Sequence, residues 1–283
     1  MTEMVTVGVD GSDDSLHALR WATDEAVRRE VGLQVVYCLH VPRVAQLPYA
    51  GPHLQEDSYR DYANSIVDAA ASVAAEVAPE LDLRTLVLTR PPSNGLLEVS
   101  TDASLVVLGS RGLGSLDSLF LGSVSTRVSA RAACPTVVVP VNGAHRNTDG
   151  PIVVGVDGSA HSDAALRFAL GQSALHARPL KIVHGHHRGH GSDHTETDPD
   201  SVVADALDRA RRDEFADARP ETVVLDANSA DAVVAASHGA SMTVVGSRGR
   251  GGFAGMLLGS VSQSVLHRTE NPVAIVHASH GKH

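Results

Sequence analysis

Most of this chain is written twice. VTVGVDGSDDSLHALRWA, from Val5 to Ala22, returns as IVVGVDGSAHSDAALRFA, from Ile152 to Ala169. VVLGSRGLGSLDSLFLGSVS, from Val106 to Ser125, returns as TVVGSRGRGGFAGMLLGSVS, from Thr243 to Ser262, and CPTVVVPV from Cys134 is answered by NPVAIVHA from Asn271. The first landmark recurs after 147 residues and the others after 137, so the second copy is about ten residues shorter in its middle. A period this long describes a duplicated domain, not a solenoid. The expected domains are residues 1–142 and 150–283, joined by NGAHRNTDG, Asn142 to Gly150, whose polar and glycine content reads as a linker.

With 283 residues, 43% apolar and 20% charged, each half can bury its own core. The net charge of −10 argues against a broad electrostatic grip on nucleic acid or an anionic membrane, so any phosphate site must be local. The opening MTEMVTVGVDGS does not read as a secretory signal, and no apolar run is long enough to span a bilayer. Cys38 and Cys134 sit in apolar strand-like segments. They read as buried, unbridged thiols of a reducing compartment, which makes the cytoplasm the expected location.

Within a copy, strands and helices alternate. Val5 to Val9 is an apolar β-rich run ending at Asp10-Gly11-Ser12, after which Leu16, Leu19, Ala22, Ala26 and Val27 recur at helical spacing. Ser12 is placed to cap that helix, with Asp13 and Asp14 in its first turn. Further strands are expected over Leu33–Leu39, Leu83–Leu88, Leu105–Leu108 and Thr136–Val141, and helices over Asp57–Val77, Leu96–Thr101 and Ser123–Ala132. Continuous apolar strands alternating with helices imply two repeated doubly wound α/β domains, each a five-stranded parallel sheet covered on both faces. In such folds the ligand crevice lies at the carboxyl ends of the strands, where both glycine motifs fall.

Those motifs carry the chemistry. From Gly109 the chain reads G-S-R-G, nine residues, then G-S-V-S, and from Gly246 it reads the same way. Paired glycines after a strand permit positive φ and expose backbone N–H groups to an anion. Gly122-Ser123-Val124-Ser125 and Gly259-Ser260-Val261-Ser262 then open helices whose free amides and dipoles face the same place. The hydroxyls of Ser123 and Ser125 can add hydrogen bonds. Turn-forming glycines with no ligand are the plain alternative, but the spacing recurs while the nine intervening residues differ freely. Arg111 and Arg248, inside the glycine pairs, can reach phosphate oxygens or simply be solvated. Neither a G-x-x-x-x-G-K-[ST] loop nor a G-x-G-x-x-G turn is present, so P-loop and dinucleotide readings are weak.

Both halves resemble the universal stress protein family, whose ATP-binding members carry G-x-x-G, nine residues, then G-[ST]. The resemblance spans nearly the whole chain and implies an adenine nucleotide alpha hydrolase-like fold. It also implies a stress-response regulatory protein with one ATP site per domain, the ATP bound with or without Mg²⁺. By that resemblance the aspartate closing the first strand approaches adenine, which maps to Asp10 and Asp157, with Gly8 and Gly155 beside them. A residue late in the second strand lines the base pocket, mapping to Cys38 and Gly185; since Gly185 offers no side chain, the second pocket is expected to hold adenine less tightly. The phosphate loop maps to Gly109, Gly112, Gly122 and Ser123, and to Gly246, Gly249, Gly259 and Ser260. Val124, Ser125, Val261 and Ser262 follow on. Family members dimerise through their last strands, so pairing of Val137–Val141 with Val273–Val276 inside the chain is implied, with room for a further homodimer. No nucleic-acid or membrane partner is expected.

No nucleophile elbow and no general base beside the cradle can be recognised, so at most slow ATP hydrolysis is expected and no catalytic residue is assigned. A weak ATPase or phosphotransferase, or a nucleotide-independent scaffold, are the alternatives. His184, His186, His187, His190 and His194, with His277, His280 and His283, can meet Zn²⁺ or Ni²⁺, but lack the accompanying ligand spacing, and no metal site is assigned.

Overall fold

The structure, a computed structural model, describes residues 3–40, 52–112, 121–140, 149–186, 199–213, 215, 218–250 and 257–278. The chain divides into two compact units, Met1–Val141 and Asn142–His283. Most of the expected linker, and most of the histidine run and histidine tail, lie outside the described residues.

The first unit runs β1 (Met4–Val9), α1 (Asp13–Arg29), β2 (Gly32–Cys38), α2 (Pro52–Val77), β3 (Leu83–Leu88), α3 (Pro92–Val99), β4 (Leu105–Gly109), α4 (Ser123–Arg131) and β5 (Thr136–Val139). Its strands lie side by side as β3-β2-β1-β4-β5, each neighbouring pair parallel. The second unit repeats this with β6 (Ile152–Gly155), α5 (Ala160–His176), β7 (Leu180–Gly185), α6 (Pro199–Asp213), β8 (Glu221–Leu225), α7 (Ser229–Ala236), β9 (Met242–Gly246), α8 (Ser260–Arg268) and β10 (Val273–Val276), in the order β8-β7-β6-β9-β10. Strand order reverses between β1 and β4, and between β6 and β9, and the splayed loops there open a crevice.

Helices α1 and α2 pack together on one face of the first sheet and α3 and α4 on the other; α5 with α6, and α7 with α8, do the same in the second unit. Burial on both faces explains the unbroken apolar strands: Val5, Val7, Leu105, Val106 and Val107 are fully buried, as are Val153, Val154 and Val244. The edge strands β3 and β8, paired on one side only, are the more exposed ones, and there polar Arg84, Thr85, Glu221 and Thr222 are tolerated.

Element boundaries differ from expectation where proline acts. Helix α2 begins at Pro52 rather than Asp57, and α3 begins at Pro92 rather than Leu96. Proline suits the first helical position, where its missing N–H would have had no intrahelical partner. Strand β5 ends at Val139, before Pro140, which has no amide to continue the ladder.

Candidate functional site

In each unit a crevice opens at the carboxyl ends of the central strands. The first encloses about 600 Å³ and the second about 510 Å³. Both volumes suit a ligand of nucleotide size. Gly8, Asp10, Cys38, Gly109, Arg111, Gly112, Gly122, Ser123, Val124 and Ser125 all line the first crevice. Gly155, Asp157, Gly185, Gly246, Arg248, Gly249, Gly259, Ser260, Val261 and Ser262 all line the second.

The glycines of the paired motif serve close approach, not the positive φ expected of them. Among the described glycines the left-handed backbone occurs at Gly11 (φ 86°), Gly158 (φ 77°) and Gly239 (φ 74°). The first two are the turns that lead into α1 and α5. A Cβ on Gly109 would stand 2.8 Å from the backbone of Asp14, and one on Gly246 would stand 2.8 Å from that of His161, because the first turn of α1 or α5 packs under the strand end. A Cβ on Gly112 or Gly249 would run into the Oδ2 of Asp10 or Asp157.

The helix that starts at each crevice begins differently from α1, α5 and α7. Ser12, Ser159 and Asn228 cap α1, α5 and α7, each side chain accepting the amide three residues on. Gly122 and Gly259 open α4 and α8 with no side-chain cap. The first intrahelical bonds there are from Thr126 and Gln263, so the amides of Ser123, Val124 and Ser125, and of Ser260, Val261 and Ser262, carry no bond among the described residues. These donors, with the positive end of the helix dipole, form a place for an anion. Ser125 and Ser262 hold the cradle together rather than reaching into it. Their hydroxyls donate to the carbonyls of Gly109 at 2.7 Å and Gly246 at 2.6 Å, tying each helix to its strand end. Ser123 and Ser260 are exposed, and their hydroxyls can turn to a ligand.

Asp10 and Asp157 bind the first loop to the glycine loop. Asp10 Oδ1 accepts the amide of Ser12 at 3.0 Å and its hydroxyl at 2.5 Å. Asp157 Oδ1 accepts the amide of Ser159 at 2.9 Å, and its Oδ2 accepts the amide of Arg250 at 3.1 Å. Burial pushes the Asp157 carboxyl up, but hydrogen bonds from Ser159, Arg250 and Ser162 outweigh it and hold the group below the ordinary carboxyl value.

At the glycine-loop end the two crevices part company. Asp14 Oδ2 accepts from the hydroxyl of Ser110 at 2.9 Å, the amide of Arg111 at 3.0 Å and the Arg111 Nε at 3.3 Å, so the loop arginine is ion-paired. The matching residue of the second unit is His161, whose Nδ1 accepts the amide of Ala278 at 2.9 Å and lies 3.1 Å from the hydroxyl of Ser247. Among the described residues no ion pair or side-chain hydrogen bond engages the guanidinium of Arg248 or of Arg250, and no bond engages the Arg248 amide.

The other end of each crevice holds Tyr37, which sequence patterns do not single out, and His184, which they single out only as one of the histidines able to meet a metal. In strand register Tyr37 corresponds to His184, and both line their crevices. Burial first, then Tyr62 and Asp10, raises the Tyr37 phenol, which stays protonated. His184 Nδ1 lies 2.7 Å from the carbonyl of Val156. A carbonyl only accepts, so Nδ1 carries a proton toward it and Nε2 is the ring nitrogen left to face the crevice. Cys38 turns largely into the core, where a Cβ on Gly95 would stand 2.6 Å from its sulfur. Gly185 is bare because α7 comes so close that a Cβ would lie 2.6 Å from the Cα of Ser229. Cys38 and Cys134 are both free thiols; burial pushes them up to about 11 and about 12, so neither offers a thiolate near neutrality.

A profile of the universal stress protein family matches residues 1–140 and 150–277. The chain belongs to the universal stress protein family. Universal stress protein Rv2005c of Mycobacterium tuberculosis is 34% identical to it over 288 residues, covering 97% of each chain. Universal stress protein Rv2623 of the same species is 30% identical, covering 97% of this chain and 96% of the relative. Like these relatives, this universal stress protein matches over its full tandem length. A crystal structure of a universal stress protein from Archaeoglobus fulgidus DSM 4304 superposes with a TM-score of 0.75 at 20% identity, covering 98% of this chain and 99% of that one. Its likeness establishes the shared fold.

Proposed function

We propose that each domain binds an adenine nucleotide, ATP, and that the protein is a regulatory member of the universal stress protein family whose occupancy alters what it presents to partners. The observation that carries this reading is the uncapped start of α4 and of α8, facing a crevice with the glycine loop opposite. Helices α1 and α5 supply their own acceptor; these two have amides set for an acceptor from outside. The triphosphate lies against those amides and the base reaches toward Tyr37 and Cys38, or His184 and Gly185. Mg²⁺, where it accompanies ATP, would be carried on the phosphate oxygens.

Two free thiols, Cys134 buried and Cys38 half-buried, support a cytoplasmic setting, and no helix among the described residues is long and apolar enough to cross a membrane. Pairing through the apolar last strands, and a homodimer beyond it, belong to the same proposal; light scattering of the purified chain reads the assembly.

The test is thermal unfolding with Mg·ATP on protein confirmed nucleotide-free by mass spectrometry. A ligand that binds only the folded state at a hundred times its Kd stabilises it by about 2.7 kcal/mol. No shift in Tm would favour the scaffold reading. Phosphate release above background, lost in Gly122→Ala, would favour a weak ATPase.

A further inference from the structure

The two crevices share a backbone and differ in the charge around it. In the first, Asp14 takes both the Nε and the amide of Arg111, so one carboxylate neutralises the loop's cation and occupies one of its donors. In the second, His161 stands where Asp14 would, and turns to Ser247 and Ala278. The Arg248 amide and guanidinium are left without a bond among the described residues. A second cation also lines that crevice. Arg250 follows Gly249, where the first copy has Leu113. Its amide is anchored on Asp157 while its guanidinium lies over Gly158, close enough that a Cβ there would meet it.

We infer that the second domain's crevice selects for a long phosphate tail, whereas the first binds nucleotides of different tail length with little discrimination. The determinants are Arg248 and Arg250, together with the absence of a carboxylate at position 161. This inference rests on the nucleotide reading above and adds which ligand each site prefers. Each further phosphate brings negative charge and acceptor oxygens, and guanidinium groups answer both through charge-assisted pairs. A guanidinium already paired with a carboxylate adds little net attraction, while two uncommitted ones reward every added phosphate.

The test compares ATP, ADP and AMP by calorimetry on the full chain with one crevice closed at a time. Gly112→Trp leaves the second crevice to be read, and Gly249→Trp leaves the first. The ATP-to-AMP affinity ratio is expected to be at least about tenfold larger in the Gly112→Trp chain, the scale of one additional charge-assisted hydrogen bond. In that background Arg250→Leu and His161→Asp each lower the ratio. His161→Asn keeps an acceptor without the charge and leaves the ratio unchanged, which a purely structural role for His161 would not produce. Asp14→His in the Gly249→Trp chain raises the ratio. Should either tryptophan variant fail to fold, the unsubstituted chain gives the same information: two affinity classes for ATP and one for AMP. Equal ratios in the two backgrounds, or a single class for ATP, overturn the inference and leave nucleotide binding standing. No heat with any of the three nucleotides on the unsubstituted chain overturns both.

Discussion

In the first domain the arginine between the paired glycines is held by Asp14, and in the second His161 occupies that place, so among the described residues the matching arginine meets no carboxylate. Three backbone features are nevertheless the same in both: the strand ends, the close approach at Gly112 and Gly249, and the helix starts at Gly122 and Gly259. A binding site built from main-chain amides depends on where the chain can approach, not on which side chains stand near. The copies could therefore drift in charge and in base-pocket chemistry, from Tyr37 to His184, without losing the cradle.

The largest effect tests what the copies share. Replacing Gly112 and Gly249 together by tryptophan is expected to abolish ATP binding in calorimetry while leaving the far-ultraviolet circular dichroism unchanged. Retained affinity would put the cradle elsewhere. Next come the ties between helix and strand. Ser125→Ala and Ser262→Ala each take the hydroxyl donor from a carbonyl, the buried one of Gly109 or the part-buried one of Gly246, and should cost about 1 to 3 kcal/mol in denaturant unfolding. The two domains are expected to lose alike, and a large disparity would break the equivalence.

The caps should separate the domains. Ser12→Ala and Ser159→Ala each lose a helix cap, at about 1 kcal/mol. Ser12 also donates its hydroxyl to Asp10 at 2.5 Å, whereas the Ser159 hydroxyl, which bears on Asp157 as well, makes a longer contact of 3.5 Å with the Arg248 carbonyl. The Ser12 variant should therefore be the less stable of the two.

The smallest effect is a pH dependence. Because the Asp157 carboxyl is held below its ordinary value, it is ionised in the fold where it would already be taking up protons when unfolded. Its stabilising contribution is complete above the ordinary carboxyl value of about 3.9, and is lost as pH falls through the lowered folded value. Denaturation at neutral pH and below pH 4 should show Asp157→Asn losing less stability on acidification than the parent chain.

The fold was legible because duplication printed each landmark twice, and because unbroken apolar strands such as Leu105–Leu108 belong to sheets buried on both faces. The positions lining the crevices were legible too, since the spacing from Gly112 to Gly122 recurs from Gly249 to Gly259. What a glycine is for was not. Sequence alone does not distinguish a left-handed turn from a close approach, and Gly109 and Gly112 prove to be the second kind. Asp14 reads as an ordinary first-turn acid, and only the packing of α1 beneath β4 turns it toward Arg111. Tyr37 sits in a strand where an aromatic is unremarkable, and His184 stood out only as part of a histidine run, so strand register and the crevice wall are what pair the two. Arg250 looked like part of a freely varying interval; its amide on Asp157 places it at the mouth.

The helices that begin at the two crevices, α4 and α8, start without a side-chain acceptor among the described residues, and that has a practical side. An oxyanion of the right size, including sulfate or inorganic phosphate from a purification buffer, can settle on those amides and compete with a nucleotide. Affinities recorded in phosphate will then read weaker than those recorded in an amine buffer with chloride, and most so for the second domain, where two guanidinium groups would welcome the impostor.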